Sequence, residues 1–181
     1  MKRFKSIMGY ALLLAFLSCT EEVDFSQAED VSFTPFIESA MLYLEAPEED
    51  INLSADTTFF DFTFSFLAFS EQYVSENLLE GALRYQVENT TSKALQITID
   101  FIDENGVVLD TESFSIDPAP TDVLDRSSNY GGGGKSLDIL RNTVTLRVTG
   151  INLGDSTSTS GLPNPRVVLR SSAEFIIRLV R

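Results

Sequence analysis

From residue 36 onward, apolar and polar residues alternate with a period of two over most of the chain, the spacing that puts successive side chains on opposite faces of a β-strand. The run FFDFTFSFLAF at 59–69 sets Phe60, Phe62, Phe64 and Phe66 on one face and Asp61, Thr63 and Ser65 on the other, which predicts a core-facing strand. Residues 83–88 place Leu83, Tyr85 and Val87 against Arg84, Gln86 and Glu88, and residues 94–102 place Leu95, Ile97, Ile99 and Phe101 against Gln96, Thr98 and Asp100. Val144, Leu146 and Val148 alternate with Thr143, Thr145, Arg147 and Thr149. One apolar and one polar face per strand predicts antiparallel sheets with one side in the core and the other in water.

Between strands at 94–102 and 107–116 lies DENG, where Asn105 and Gly106 suit the positive φ of a tight hairpin. Pairing Leu109 with Phe101 across that turn leaves Phe114 and Ile116 on the wrong face, so a bulge near 110–113 is expected, one extra residue being enough to restore the alternation. The segment 166–180 is long for a strand, with Val167, Leu169, Ala173, Phe175, Ile177 and Leu179 on one face and a bend or change of sheet expected near Ser171 and Ser172. A less periodic first strand falls near 36–45, and short helical turns near 71–78 and 136–141. The expected fold is all-β: a two-sheet antiparallel sandwich, immunoglobulin-like, of about seven strands with one or two short helical turns. No Cys and Trp pair of the antibody type is present.

The first 18 residues belong to no such domain. Lys2, Arg3 and Lys5 precede the apolar stretch IMGYALLLAFL at 7–17, and Ser18 precedes Cys19, the only cysteine. Positive start, apolar middle and small residue are the parts of a secretory signal. A spanning helix takes about 20 apolar residues, so this stretch is too short for a permanent anchor. The organisation read from sequence is a removed signal at 1–18, an acidic tether at 19–31 and one β-sandwich domain at 32–181.

The segment FLSC resembles the lipobox of bacterial lipoproteins, with Phe16 where leucine is more usual. The resemblance implies that Cys19 becomes the mature N-terminus and carries a thioether-linked diacylglycerol, commonly with a third acyl chain on its amine. Several chains give a stable anchor, because each buried methylene contributes about 0.8 kcal/mol and one chain alone binds marginally. The following TEEVDF at 20–25 resembles the acidic stretch that directs lipoproteins of the Bacteroidota to the outside of the outer membrane. Asp56-Thr57-Thr58 and Asp155-Ser156-Thr157 are similar to the Asp-Ser/Thr-x acceptor of O-glycosylation in the same group, which implies exposed segments.

Charge narrows the partners. The chain carries −14 overall, and removal of residues 1–18 leaves ten basic against 27 acidic side chains, a balance of −17 that disfavours nucleic acid and anionic membrane faces. Residues 19–83 hold 15 acidic side chains and no basic one, whereas 84–181 hold 12 and ten. The last segment carries Arg166, Arg170, Arg178 and Arg181 against Glu174 alone, so part of the acidic N-terminal region is expected beside that strand.

Loops at 117–135 and 151–165 collect Pro, Gly, Ser and Asp, and are the default place for binding. Within the first, NYGGGGKS at 129–136 nearly matches the phosphate loop G-x-x-x-x-G-K-[ST], but Asn129 replaces the first glycine and DVLDRSS before it is no buried strand. Asp117, Asp122 and Asp125 supply oxygen ligands without EF-hand spacing, so neither a metal nor a cofactor is expected. Histidine is absent, which removes the usual general base, and with Cys19 given to lipid no thiol nucleophile remains. No catalytic residue is expected, and Cys19 is the single site residue.

The function expected is that of a lipid-anchored outer-membrane lipoprotein, exposed at the cell surface or alternatively facing the periplasm, whose non-catalytic β-sandwich binds an envelope protein or a glycan. A pilin-like structural subunit is the alternative. Bacteroidota pilins are also lipoproteins with β-sandwich domains, often matured after an early-loop arginine, whereas the first basic residue after Cys19 here is Arg84, in an expected strand. A hydrolase without histidine, built on paired carboxylates or a Ser-Lys arrangement, comes third.

Overall fold

A computed structural model describes residues 34–54, 57–66 and 72–179; Cys19, the signal, the tether and Asp56 lie outside the described residues. Eight strands follow in order: β1 (Phe36–Pro47), β2 (Thr58–Ser65), β3 (Leu78–Asn89), β4 (Leu95–Ile102), β5 (Val108–Ile116), β6 (Leu124–Tyr130), β7 (Thr145–Asn152) and β8 (Arg166–Ile177). Three single-turn helices intervene, α1 (Glu48–Leu53), α2 (Gln72–Asn77) and α3 (Leu137–Asn142). The strands form two antiparallel four-stranded sheets, ordered β1-β8-β3-β6 and β2-β7-β4-β5.

The two-sheet antiparallel sandwich is the one expected, with one strand more. Its connectivity departs from the immunoglobulin pattern, in which the first two strands are neighbours. Here β1 pairs with β8, and the chain changes sheet at every connection except the β4–β5 hairpin, which gives the strand order of a jelly roll. Period-two alternation identifies strands without naming their partners, which is why the two arrangements are indistinguishable in sequence.

The core lies between the inner faces, where the alternating residues meet. Leu83, Tyr85, Val87, Leu95, Ile97, Ile99, Phe101, Leu146, Val148, Val167 and Leu169 are all buried, each large apolar side chain contributing about 1.5–3 kcal/mol on leaving water. At the hairpin, Asp103 Oδ1 accepts from Asn105 N and Val107 N, both at 2.8 Å, and only Gly106 takes a positive φ, of 79°. The register slips between Phe101 and Ile102, so the bulge sits at Leu109 beside the turn and not at 110–113. That single extra residue brings Phe114 opposite Ile97 and Ile116 opposite Leu95, both buried.

β8 runs unbroken through Ser171 and Ser172 within one sheet, and the irregularity expected there is taken up by β1 between Ala40 and Leu42. The strand ends at Ile177, leaving Leu179 exposed. The acidic N-terminal region does meet the arginine strand: β1 lies along β8, and Arg166 Nη1 stands 3.3 Å from Glu45 Oε1. Strand β6 was hidden in the expected 117–135 loop. It is an edge strand, mostly exposed, and its sequence LDRSSNY has few apolar residues because little of it meets the core.

Candidate functional site

The two lysines that follow Cys19, Lys93 and Lys135, each anchor a polar cluster, and neither was singled out by sequence as a cluster centre. Their rarity beside the eight arginines that follow Cys19 was the one signal available. Lys93, in the β3–β4 turn, is 0% exposed; its Nζ donates to Ser158 Oγ at 2.7 Å, Ser158 O at 2.8 Å and Asp155 Oδ1 at 3.1 Å. Beside it the buried Glu48, at the start of α1, accepts from Ser92 N at 2.5 Å, Ser92 Oγ at 2.6 Å and Ser160 N at 2.7 Å. Asn89 completes the end of the sandwich by donating to Lys93 O and Asp117 O, both at 2.8 Å.

This network ties the 151–165 segment to the β3–β4 turn and to α1. Burial alone would raise the Glu48 carboxyl, but the bonds from Ser92 and Ser160 and the charge of Lys93 outweigh it and hold the group below its ordinary value. Asp155 is held well below the usual carboxylate range by the N–H groups of Ser158 and Thr157, with Lys93 adding to them. Ser158 Oγ against Lys93 Nζ has the components of a Ser-Lys pair. Three acceptors surround this nitrogen, matching the three N–H donors of an ammonium, so the contact is one bond of a network that ties the loop down.

Lys135 closes the margin where β5 faces β6. Its Nζ donates to Asp110 Oδ2 and Glu112 Oε1, each at 2.7 Å, and these bonds raise its pKa against the lowering effect of burial. Ser128 Oγ donates to Glu112 Oε1 at 2.5 Å, Tyr130 Oη to Asp110 Oδ2 at 3.2 Å, and Arg126 Nη1 to Ser113 O at 3.1 Å, with the Arg126 guanidinium 5.3 Å from the centre of the Phe114 ring. The glycine run is therefore a turn that delivers Lys135 to two carboxylates. Gly131, Gly132 and Gly133 take positive φ, and Lys135 N donates back to Asn129 O at 2.9 Å. The open groove of about 490 Å³ beside this turn is edged by Glu80 and Glu174, charges that repel a phosphate.

The loop carboxylates singled out by sequence separate. Asp125 stands on β6 and accepts from Gln86 Nε2 at 3.1 Å, while the Asp117 carbonyl serves Asn89, and no acidic group able to hold a metal occurs among the described residues. Asp155-Ser156-Thr157 is exposed, as expected of a surface segment.

The opposite margin, formed by β1 and β2, is built differently. Phe59, Phe60, Phe62 and Phe64 stand in a ladder with successive ring centres 4.8, 5.8 and 6.4 Å apart. The expectation that the whole phenylalanine face would be buried holds only for Phe60; Phe64 and Phe66 are half-buried and Phe62 is 48% exposed. The cause is position: β2 is an edge strand, and Ile37 on the facing edge strand β1 is itself exposed rather than covering the ladder. Tyr43 on β1 and Leu53 on α1 are exposed as well, the Tyr43 hydroxyl donating to Glu45 Oε2 at 2.7 Å.

No protein-family model and no curated protein sequence matches the chain. Among solved structures it is similar to the infectious bursal disease virus VP2 subviral particle, at 12% identity and a TM-score of 0.38 over 82% of this chain and 33% of that one. It is also similar to a subunit of Bacillus endospore appendages, described as a novel family of disulfide-linked pili, at 7% identity and a TM-score of 0.38 over 80% and 91% of the two chains. Desmodium yellow mottle tymovirus gives 10% identity and a TM-score of 0.34 over 82% and 91%. The chain spans about a third of the VP2 chain, and these likenesses concern the fold alone.

Proposed function

We propose that this chain is an envelope lipoprotein, anchored by lipid on Cys19, whose non-catalytic sandwich docks a partner protein through the margin formed by β1 and β2. The observation that carries the docking reading is the asymmetry of the two margins. One is laced by Lys135, Arg126, Tyr130 and Ser128 onto β5, whereas the other presents exposed aromatic and aliphatic side chains. Contiguous exposed apolar surface rimmed by polar residues marks interaction sites. The polar groups with chemical capacity are committed to one another at the closed margin and at the loop end, which favours a rigid binding body over a catalyst. The anchor rests on the sequence: the signal, the cysteine and the acidic residues behind it. Facing the cell surface is the preferred orientation, by resemblance of that acidic segment.

A photo-crosslinking phenylalanine analogue at position 62, compared with one at Leu162 in the exposed 153–165 segment, tests the docking in whole cells. A discrete adduct from position 62 only is expected; no adduct from either position overturns a partner at this margin. Cys19→Ala should move the protein out of the membrane fraction, and retention there sinks the lipid anchor. A structural, self-assembling subunit is the second reading, favoured by the outer β2 edge, on which no described strand pairs; adducts whose mass is a multiple of this chain distinguish it.

A further inference from the structure

We propose that β2 receives an extended, basic segment of the partner as an added antiparallel strand, an inference that rests on the docking margin proposed above. At the end of β7, Asn152 N donates to Thr57 O at 2.7 Å and Leu153 N to Ala94 O at 2.8 Å, so even-numbered residues of β7 turn their main-chain groups toward β2 and odd-numbered ones toward β4. Hydrogen-bonded and non-bonded pairs alternate along an antiparallel ladder. The register therefore turns the N–H and C=O groups of Phe64 and Phe62 toward Leu146 and Val148, and those of Ser65, Thr63 and Asp61 away from β7. No described strand pairs on that side. From Phe60 to Ser65 the edge is regular, without proline, bulge or basic residue, which are the devices that ordinarily blunt an edge. The β1 edge is less suited, being interrupted between Ala40 and Leu42 and stopped by Pro47.

Charge selects the occupant. Residues 34–83 contain ten acidic side chains and no basic one, so a second copy applied margin to margin would set like charges against each other. Applied through its β5 edge, that copy would present Asp110 and Glu112, both already paired with Lys135. An incoming strand with lysine or arginine at alternate positions instead meets Asp61 on the polar face of β2, while its apolar residues continue the phenylalanine ladder past Phe62. Main-chain bonds would supply affinity and the two faces specificity, as in other strand-addition complexes.

A short fluorescent peptide alternating lysine and valine, titrated by anisotropy against the detergent-solubilised full chain, is the probe. Saturable, salt-sensitive binding is expected, with an alternating glutamate and valine peptide failing to bind. Thr63→Pro removes an N–H that faces away from β7 and should weaken binding at least tenfold, whereas Thr63→Val should not. Asp61→Lys, on the exposed polar face, should weaken the lysine peptide and serves if the proline variant does not fold. Equal binding by the glutamate peptide, or by Thr63→Pro with an unchanged far-ultraviolet spectrum, overturns strand addition. Concentration-dependent self-association in place of peptide binding overturns the basic occupant in favour of a second copy. If the peptide fails while the position-62 adduct persists in cells, docking stands and the strand mode falls; if both fail, the margin itself is wrong.

Discussion

Lys93→Met tests whether the loop end is held by its buried ammonium. Three hydrogen bonds to a charged donor, at about 1.5–3 kcal/mol each, sum to about 4.5–9 kcal/mol if added blindly. The structure discounts most of that. The Asp155 side chain is 59% exposed, so water replaces its lost partner; Ser158 O keeps Asn52 Nδ2 at 3.2 Å, and Ser158 Oγ keeps Ser92 Oγ at 3.0 Å. Methionine fills the space of the aliphatic stem, so little packing is lost. What is lost is the attraction of the charged donor itself, about the worth of one charge-assisted bond, and the expected loss is about 2–3 kcal/mol. Equilibrium urea unfolding followed by tyrosine fluorescence measures it, the chain having no tryptophan. In a double-mutant cycle with Asp155→Asn the two losses should fall short of additivity, because the residues share a bond. A loss below about 0.5 kcal/mol, or a fully additive cycle, refutes the view that this network pins the 151–165 segment.

Tyr85→Phe should raise stability by about 1 kcal/mol, since the Tyr85 hydroxyl is buried without a hydrogen-bond partner and burial drives its pKa far up; a lower urea midpoint would show that the hydroxyl is satisfied. Gly134→Ala should cost more than about 2 kcal/mol, because its Cβ would overlap Asn129 O and force the turn that delivers Lys135 to open; unchanged unfolding would count against that anchoring role. The pH dependence follows from three groups. Glu48 and Asp155 are held below their ordinary 4.5 and 3.8, so the stability they lend is complete above those values and is lost as pH falls toward their folded-state values. Lys135 is held above its ordinary 10.5, so its contribution is complete below that value and is lost as pH rises through the higher folded one. Unfolding free energy measured against pH should be flat between about pH 5 and 9 and fall on both sides; a steep slope near neutrality would contradict this assignment.

The sequence alone determined the class of fold, because strands half in the core and half in water must alternate, and Leu95 to Phe101 or Leu83 to Val87 can be read in no other way. It also located the β4–β5 turn at Gly106 and the turns that became α2 and α3, where local chemistry decides. Tertiary structure decided everything that depends on what lies opposite. β6 is a strand because β3 offers it an edge to pair with, not because LDRSSNY carries an apolar face. Phe60 and Phe62 share one face of one strand, yet one is buried and the other half-exposed, since only the arrangement of β1 and β2 sets where the core ends. Lys93 and Glu48 lie 45 residues apart and read as two solvated charges until the fold brings the Ser92 amide and hydroxyl onto one of them and Ser158 onto the other. Pairing between distant residues leaves no mark on local pattern, and both the anchored end and the open margin are products of such pairing.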